Sequence, residues 1–229
     1  MSETRYPSTW IISLAAIFGA LAILFTRVFV PFPFGNPNLG STPVTLAAVF
    51  CPLSVGVLTG IIKGVGASLW TGQAFIEMPA GIGDAMMAAF IYYLRRLRIV
   101  RDSKLPENVK LSICATIGQL SRYIFTSGMI ALYIGLAVSF GFDPAACEKF
   151  AKIAATYPGL MQLAIHPVLL NILVVWVAIF VAVTVSIIVN TIISCAVIMS
   201  AGTALRKMLS RFEESVSYTH LTLPTTERV

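Results

Sequence analysis

Long apolar runs, separated by short polar or proline-rich breaks, set the plan of the chain. Runs at about Trp10 to Val30, Met78 to Leu94 and Val109 to Val138 each reach the minimum of about 17 residues for a helix that crosses a hydrocarbon core. They lack the short alternating segments of a barrel, so they predict α-helices. A further apolar stretch begins at Val44, meets Cys51 and Pro52, and resumes to about Gln73, which makes a short second span followed by a third. Residues 31–43, PFPFGNPNLGSTP, carry proline but no charge and predict an external loop. Residues 140–166, with Asp143, Pro144, Glu148, Lys149 and Lys152, predict an external segment with a short amphipathic helix.

The stretch Val168 to Met208 has about 40 residues without proline, a helix of roughly 60 Å, twice the hydrocarbon thickness. Two readings stand: one long tilted helix, or a re-entrant piece around Asn171 followed by a span at about Val181 to Leu205. A seventh crossing would strand Arg206 and Lys207 outside, against the charge rule for membrane topology. The pattern therefore predicts an all-α membrane protein, a bundle of six transmembrane helices in one domain over residues 1–211. Residues 212–229 are read as a disordered tail, because SYTHLTLPTT resembles a translated sequencing adapter and not a natural terminus.

Composition strengthens this plan. Of the 229 residues, 57% are hydrophobic and only 11% charged, against roughly 25% charged in a soluble domain. A formal charge of +6 raises the question of nucleic acid, but nine of the 16 cations sit in two places, Arg95 to Lys110 and Arg206 to Arg211. Such clustering at span ends marks the inner face of a multi-pass cell-membrane protein, with no nucleic-acid partner, and predicts that both termini are cytoplasmic. Four scattered cysteines have no metal-ligand spacing, and His166 has no companion ligands, so no metal is expected.

Ionisable residues inside the apolar runs then carry the interest. Gly56, Gly60, Gly64, Ser68 and Gly72 recur every fourth residue and form a bare ridge suited to close helix packing. Lys63 and Trp70 lie beside that ridge, Glu77 and Asp84 follow seven apart on the next helix, and Gln119, Arg122, Thr126, Met129 and Tyr133 stripe the fifth span. Charges in hydrocarbon are costly and are kept where a partner, a cavity or a ligand holds them. Plain ion pairing of Arg122 with Asp84 or Glu77 competes with direct contact to a guest. Ser186, Asn190 and Ser194 share one face of the last helix, and Asn190 is a further pocket candidate. Ala16 and Ala20 lie on a small-residue face of the first helix, where either another helix of the chain or a partner subunit packs. Phe34, Asn36 and Asn38 either cover the pocket or merely connect two spans.

Catalytic signatures are missing: the chain has no GxxxxGK[ST], HExxH, GxSxG or CxxC. No enzyme activity and no cofactor are expected. Two rival readings remain, a stand-alone proton-coupled transporter using Glu77 and Asp84, and a membrane-embedded enzyme without a recognisable nucleophile.

The order of features resembles the substrate-binding S component of energy-coupling factor (ECF) vitamin transporters, with the riboflavin-type members most similar. The resemblance rests on the Ala16 and Ala20 pair, the uncharged loop with Asn36 and Asn38, and Phe50, Pro52 and Gly56 in FCPLSVG. Ile62 and Lys63 in IIKG, Gly72 and Glu77 at the next turn, the RRLR end of the fourth helix and Asn190 before a basic terminus complete it. It implies a subunit that captures a vitamin-like small molecule from outside and works with a transmembrane T component and two ATPase subunits. Ala16 and Ala20 would touch the T component, and the first loop would be a lid. Lys63 and Arg122 would meet acidic or carbonyl groups of the ligand, Trp70 would stack on a ring, and Glu77, Asp84 and Gln119 would fix its orientation.

Overall fold

The computed structural model describes residues 8–29 and 37–221, with side chains as far as residue 211. Its elements, in chain order, are α1 (Ser8–Phe25), α2 (Ser41–Phe50), α3 (Leu53–Thr71), α4 (Ala74–Leu94), α5 (Arg98–Arg101), α6 (Glu107–Ser121), α7 (Phe125–Phe140), α8 (Pro144–Thr156), a 3₁₀ turn at Leu160–Gln162, and α9 (Pro167–Leu221). Five helical segments are long and apolar enough to cross a membrane: α1, α3, α4, the stretch Glu107–Phe140 that joins α6 and α7, and Pro167–Arg211 within α9. No strand forms among the described residues beyond one isolated bridge, Phe29 to Asn38.

The remaining apolar helix, α2, has ten residues, about 15 Å of rise and half a hydrocarbon thickness. Pro52, with an extended backbone at the start of α3, ends it. Buried residues run from Ser41 to Val49, because α2 threads between α1, α3, α4, α6 and α9. It is the axis of the bundle and begins near the middle of its neighbours rather than at their ends.

α3 and α4 form the most extensive helix pair. The glycine ridge explains their approach: a Cβ on Gly60 would lie 2.6 Å from the Ala85 nitrogen, and one on Gly64 2.8 Å from the Gly81 Cα. Only bare backbones fit there. Gly72 is not part of that ridge. It terminates α3 in the left-handed conformation, φ 67°, and starts the two-residue turn into α4.

The fifth apolar run is interrupted. Between α6 and α7, residues 122–124 leave the helical path, and the Ser127 N–H reaches back five residues to the Arg122 carbonyl at 3.0 Å. A wide turn of this kind turns a side chain away from the regular helical stripe. Pro144 at the helix start and the Asp143 carboxylate, accepting from the Ala146 N–H at 3.1 Å, initiate α8. The helix is amphipathic, as expected: Ala146, Phe150 and Ile153 pack inward, while Glu148 and Lys152 pair on the exposed face.

Of the two readings for the last apolar stretch, the long helix is the one observed. Pro167–Arg211 spans 45 residues, about 68 Å, and Asn171 lies inside it, donating to the Ser139 hydroxyl of α7 at 3.2 Å. With no glycine or proline between Gly202 and Pro224, α9 continues to Leu221, and residues 222–229 lie outside the described set.

Candidate functional site

The site is built around Asp84, ten residues into α4 and fully buried. Gly83 lets the backbone at Thr126 come close, since a Cβ there would meet the Thr126 Cα. This brings the α6–α7 interruption onto the Asp84 carboxylate. Oδ1 accepts from Arg122 Nε at 3.0 Å and from the Thr126 hydroxyl at 2.9 Å. Oδ2 accepts from Lys63 Nζ and from the Ser41 hydroxyl at 2.8 Å. One carboxylate thus ties together α2, α3, α4 and the α6–α7 junction, with both oxygens doubly satisfied. Ser41, which makes one of these bonds, is the first residue of α2.

Two cations on one carboxylate leave the cluster with an excess positive charge. Lys63 and Arg122 are each buried, and a second shell of polar groups holds them. Arg122 Nη1 donates to the Ser186 hydroxyl at 2.9 Å and to Gln119 Oε1 at 3.5 Å, while Lys63 Nζ also donates to Ser41 at 3.3 Å. Gln119 is anchored from behind, donating to the Thr45 hydroxyl at 2.6 Å. Lys63 and Asp84 lie near the midpoints of α3 and α4.

Against this cluster lies a cavity of about 70 Å³. Lys63, Arg122 and Thr126 form its polar floor, and Ile130, Ile134, Ile179 and Val183 its apolar walls. Asn38, Glu77 and Lys149 stand at its margin. Lys149, on α8 outside the spanning helices, has its ammonium pKa pushed down, first by partial burial and then by Lys152.

The candidate residues therefore separate into groups. Lys63, Glu77, Arg122 and Asn38 border the cavity. Asp84 and Gln119 sit behind that floor and orient it. Asn190 is a strut: its side-chain amide donates to the Asn38 carbonyl and the Ser186 carbonyl, each at 2.7 Å, and its oxygen accepts from the Thr42 hydroxyl at 2.8 Å. It ties the chain before α2 to α9 without itself bordering the cavity.

Trp70 is a correction. It was expected to share the pocket face, but it is 54% exposed near the end of α3, with the Arg27 guanidinium 3.3 Å from its ring centroid. Seven residues past Lys63 on a helix end at the bundle surface, the ring meets the outside and not the interior. The cavity lining among the described residues is aliphatic instead of aromatic.

Ala16 and Ala20 are exposed, whereas Ala15, Gly19 and Ala22 of the same helix are buried, Gly19 against Ile62. The small-residue face of α1 is in fact two faces, and the Ala16 and Ala20 side is left uncovered by the chain's own helices. Phe34 and Asn36 lie outside the described residues.

Ser41, Thr42 and Thr45, in a stretch whose pattern predicts a loop and the start of a span, belong to the site as well. Their signal was three hydroxyls at spacings of one, three and four in an otherwise apolar segment, which fall on one side of a helix turn. Among the described residues no group of three His, Cys, Asp or Glu side chains gathers as a metal site. No family model matches the chain, and neither a curated protein nor a solved structure matches it.

Proposed function

We propose that the chain is the substrate-capturing membrane subunit of an ECF-type, ATP-driven importer, taking up a vitamin-like small molecule from outside. The observation that carries the reading is the cavity floor: Lys63 and Arg122, held in place by Asp84, face a chamber whose apolar walls are aliphatic. Immobilised donors behind apolar walls suit a guest with an apolar body and an acceptor or anionic end. The guest would lay its acceptors on the remaining donors of Lys63 and Arg122, with Glu77 and Asn38 contacting its outer end.

The topology belongs to the same proposal. α2 and the chain leading into it together make a second crossing, so six crossings leave both termini cytoplasmic, as the basic Arg95–Lys110 and Arg206–Arg211 segments favour. A half-length helix is tolerated at membrane depth because protein surrounds it. The exposed Ala16 and Ala20 side of α1 would meet the transmembrane T component, two ATPase subunits would supply energy, and surrounding lipid would cover the rest. A widening of the cavity would admit the guest, since 70 Å³ holds only a few waters.

The test has two stages. Mass spectrometry of whatever copurifies names the ligand, and calorimetry on purified protein then compares wild type with Lys63→Met and Arg122→Gln. Affinity unchanged in both variants overturns the site. Proteoliposomes containing this chain alone should bind without concentrating the ligand; accumulation driven by a pH gradient would favour the proton-coupled transporter instead.

A further inference from the structure

At the opposite end of the bundle from the outer cavity lies a second void, of about 300 Å³, between the inner end of α2 and the α4–α6 connection. Five cations, Arg95, Arg96, Arg101, Lys110 and Arg206, border it with one carboxylate, Glu107. We infer that this void binds the phosphate of an anionic phospholipid headgroup. The site is independent of the reading given to the outer cavity.

Among the described residues, the partners of Arg96, Lys110 and Arg206 leave most of their positive charge in place. Arg95 donates to the carbonyls of Val49 and Cys51, closing the C-terminal end of α2. Lys110 donates to the Arg101 carbonyl at 3.0 Å, again a neutral acceptor, and Arg96 lies over the Tyr92 ring, 4.1 Å from its centroid. Arg206 donates to Asn108 at 2.7 Å and is 3.8 Å from Glu107. Arg101 has a close carboxylate, Asp102, and that pair is exposed, where ion pairs are weak. Leaving Arg95 aside, Arg96, Arg101, Lys110 and Arg206 against Glu107 and Asp102 leave two positive charges in excess, among the described residues, around a space large enough for a headgroup. An anion with several acceptor oxygens relieves that repulsion, and phosphate matches guanidinium forks.

The remaining walls favour a lipid over a free ion. Phe50 and Leu111 border the same void, and on the adjoining α5 segment Ile99 is 81% and Leu97 50% exposed. Apolar side chains exposed next to a basic pocket at the ends of spanning helices are placed to meet acyl chains while the cations hold the headgroup.

The test uses the full chain in detergent, titrated with phosphatidylglycerol or phosphatidylcholine of equal chain length and read by native mass spectrometry. Arg96→Gln with Arg101→Gln is the informative variant, because neither side chain caps a helix. At about 1 kcal/mol per surface cation, each charge contributes roughly fivefold, so the double variant should lose about 25-fold in phosphatidylglycerol affinity. Arg98→Gln with Lys104→Gln removes the same charge outside the void and should lose far less. Equal losses in the two double variants, or equal wild-type affinity for the two lipids, would overturn the site. Inorganic phosphate should compete only weakly; if it displaces phosphatidylglycerol at matching concentrations, the lipid assignment fails.

Discussion

Replacing Asp84 by asparagine tests the whole arrangement, because the amide has the same shape and changes only charge and donor pattern. With Oδ1 still accepting from Arg122 and Thr126, the new Nδ2 donor would face Lys63 Nζ and the Ser41 hydroxyl. The attraction removed is large in gross terms: at the 3.0 Å Arg122 to Asp84 separation, Coulomb's law with an effective dielectric of 20 gives about 5.5 kcal/mol. Desolvation offsets much of it, and the net cost of leaving a buried charge unpaired is about 3–5 kcal/mol. At roughly 2–4 °C per kcal/mol for a chain of this size, Asp84→Asn should lower the apparent Tm in detergent by about 6–20 °C. Adding Lys63→Met removes one of the two stranded cations, so the double variant should be more stable than Asp84→Asn alone, a coupling of about 1–3 kcal/mol. The assay is thermal unfolding followed by intrinsic fluorescence across the four members of the cycle. An Asp84→Asn variant within 2 °C of wild type, or additive effects of the two substitutions, would refute the idea that Asp84 holds both cations.

Three other outcomes follow from the geometry. Gly60→Ala should destabilise by about 1–3 kcal/mol, since its methyl would press on the Ala85 backbone, whereas Gly128→Ala, which meets open space within α7, should be neutral or gain up to about 1 kcal/mol; thermal melts of both variants check this. Trp70→Ala should leave affinity for the copurified ligand within about twofold, because the ring stands outside the cavity, while Arg122→Lys, losing the fork that reaches Asp84 and Ser186 together, should weaken it by about tenfold or more in calorimetry. Folding disfavours the protonated form of Lys149, whose pKa is lowered by partial burial and by Lys152. Between that lowered value and the ordinary lysine range the unfolded chain binds more protons, so stability rises with pH through this window, and Lys149→Gln should flatten the alkaline rise in Tm measured against pH.

Much of the helix layout was legible without coordinates because apolar run length is a local property: α1, α3, α4 and the Glu107–Phe140 stretch follow directly from it, as does the packing ridge of Gly60 and Gly64. That Lys63, Asp84 and Arg122 are costly in hydrocarbon is also local, and it marked them before their partners were known. Which groups meet is another matter. The half-length of α2, the turn that aims Arg122 at Asp84, and the exposure of Trp70 each depend on how neighbouring helices rotate and slide, and small residues permit contact without specifying its register. The same limit explains Ser41, Thr42 and Thr45, ordinary hydroxyls until α2 is placed at the centre of the bundle. Periodicity determined which side chains needed a partner; only the tertiary structure decided that one carboxylate serves two cations, because a carboxylate's four acceptor positions are filled by residues as far apart in the chain as Ser41 and Thr126.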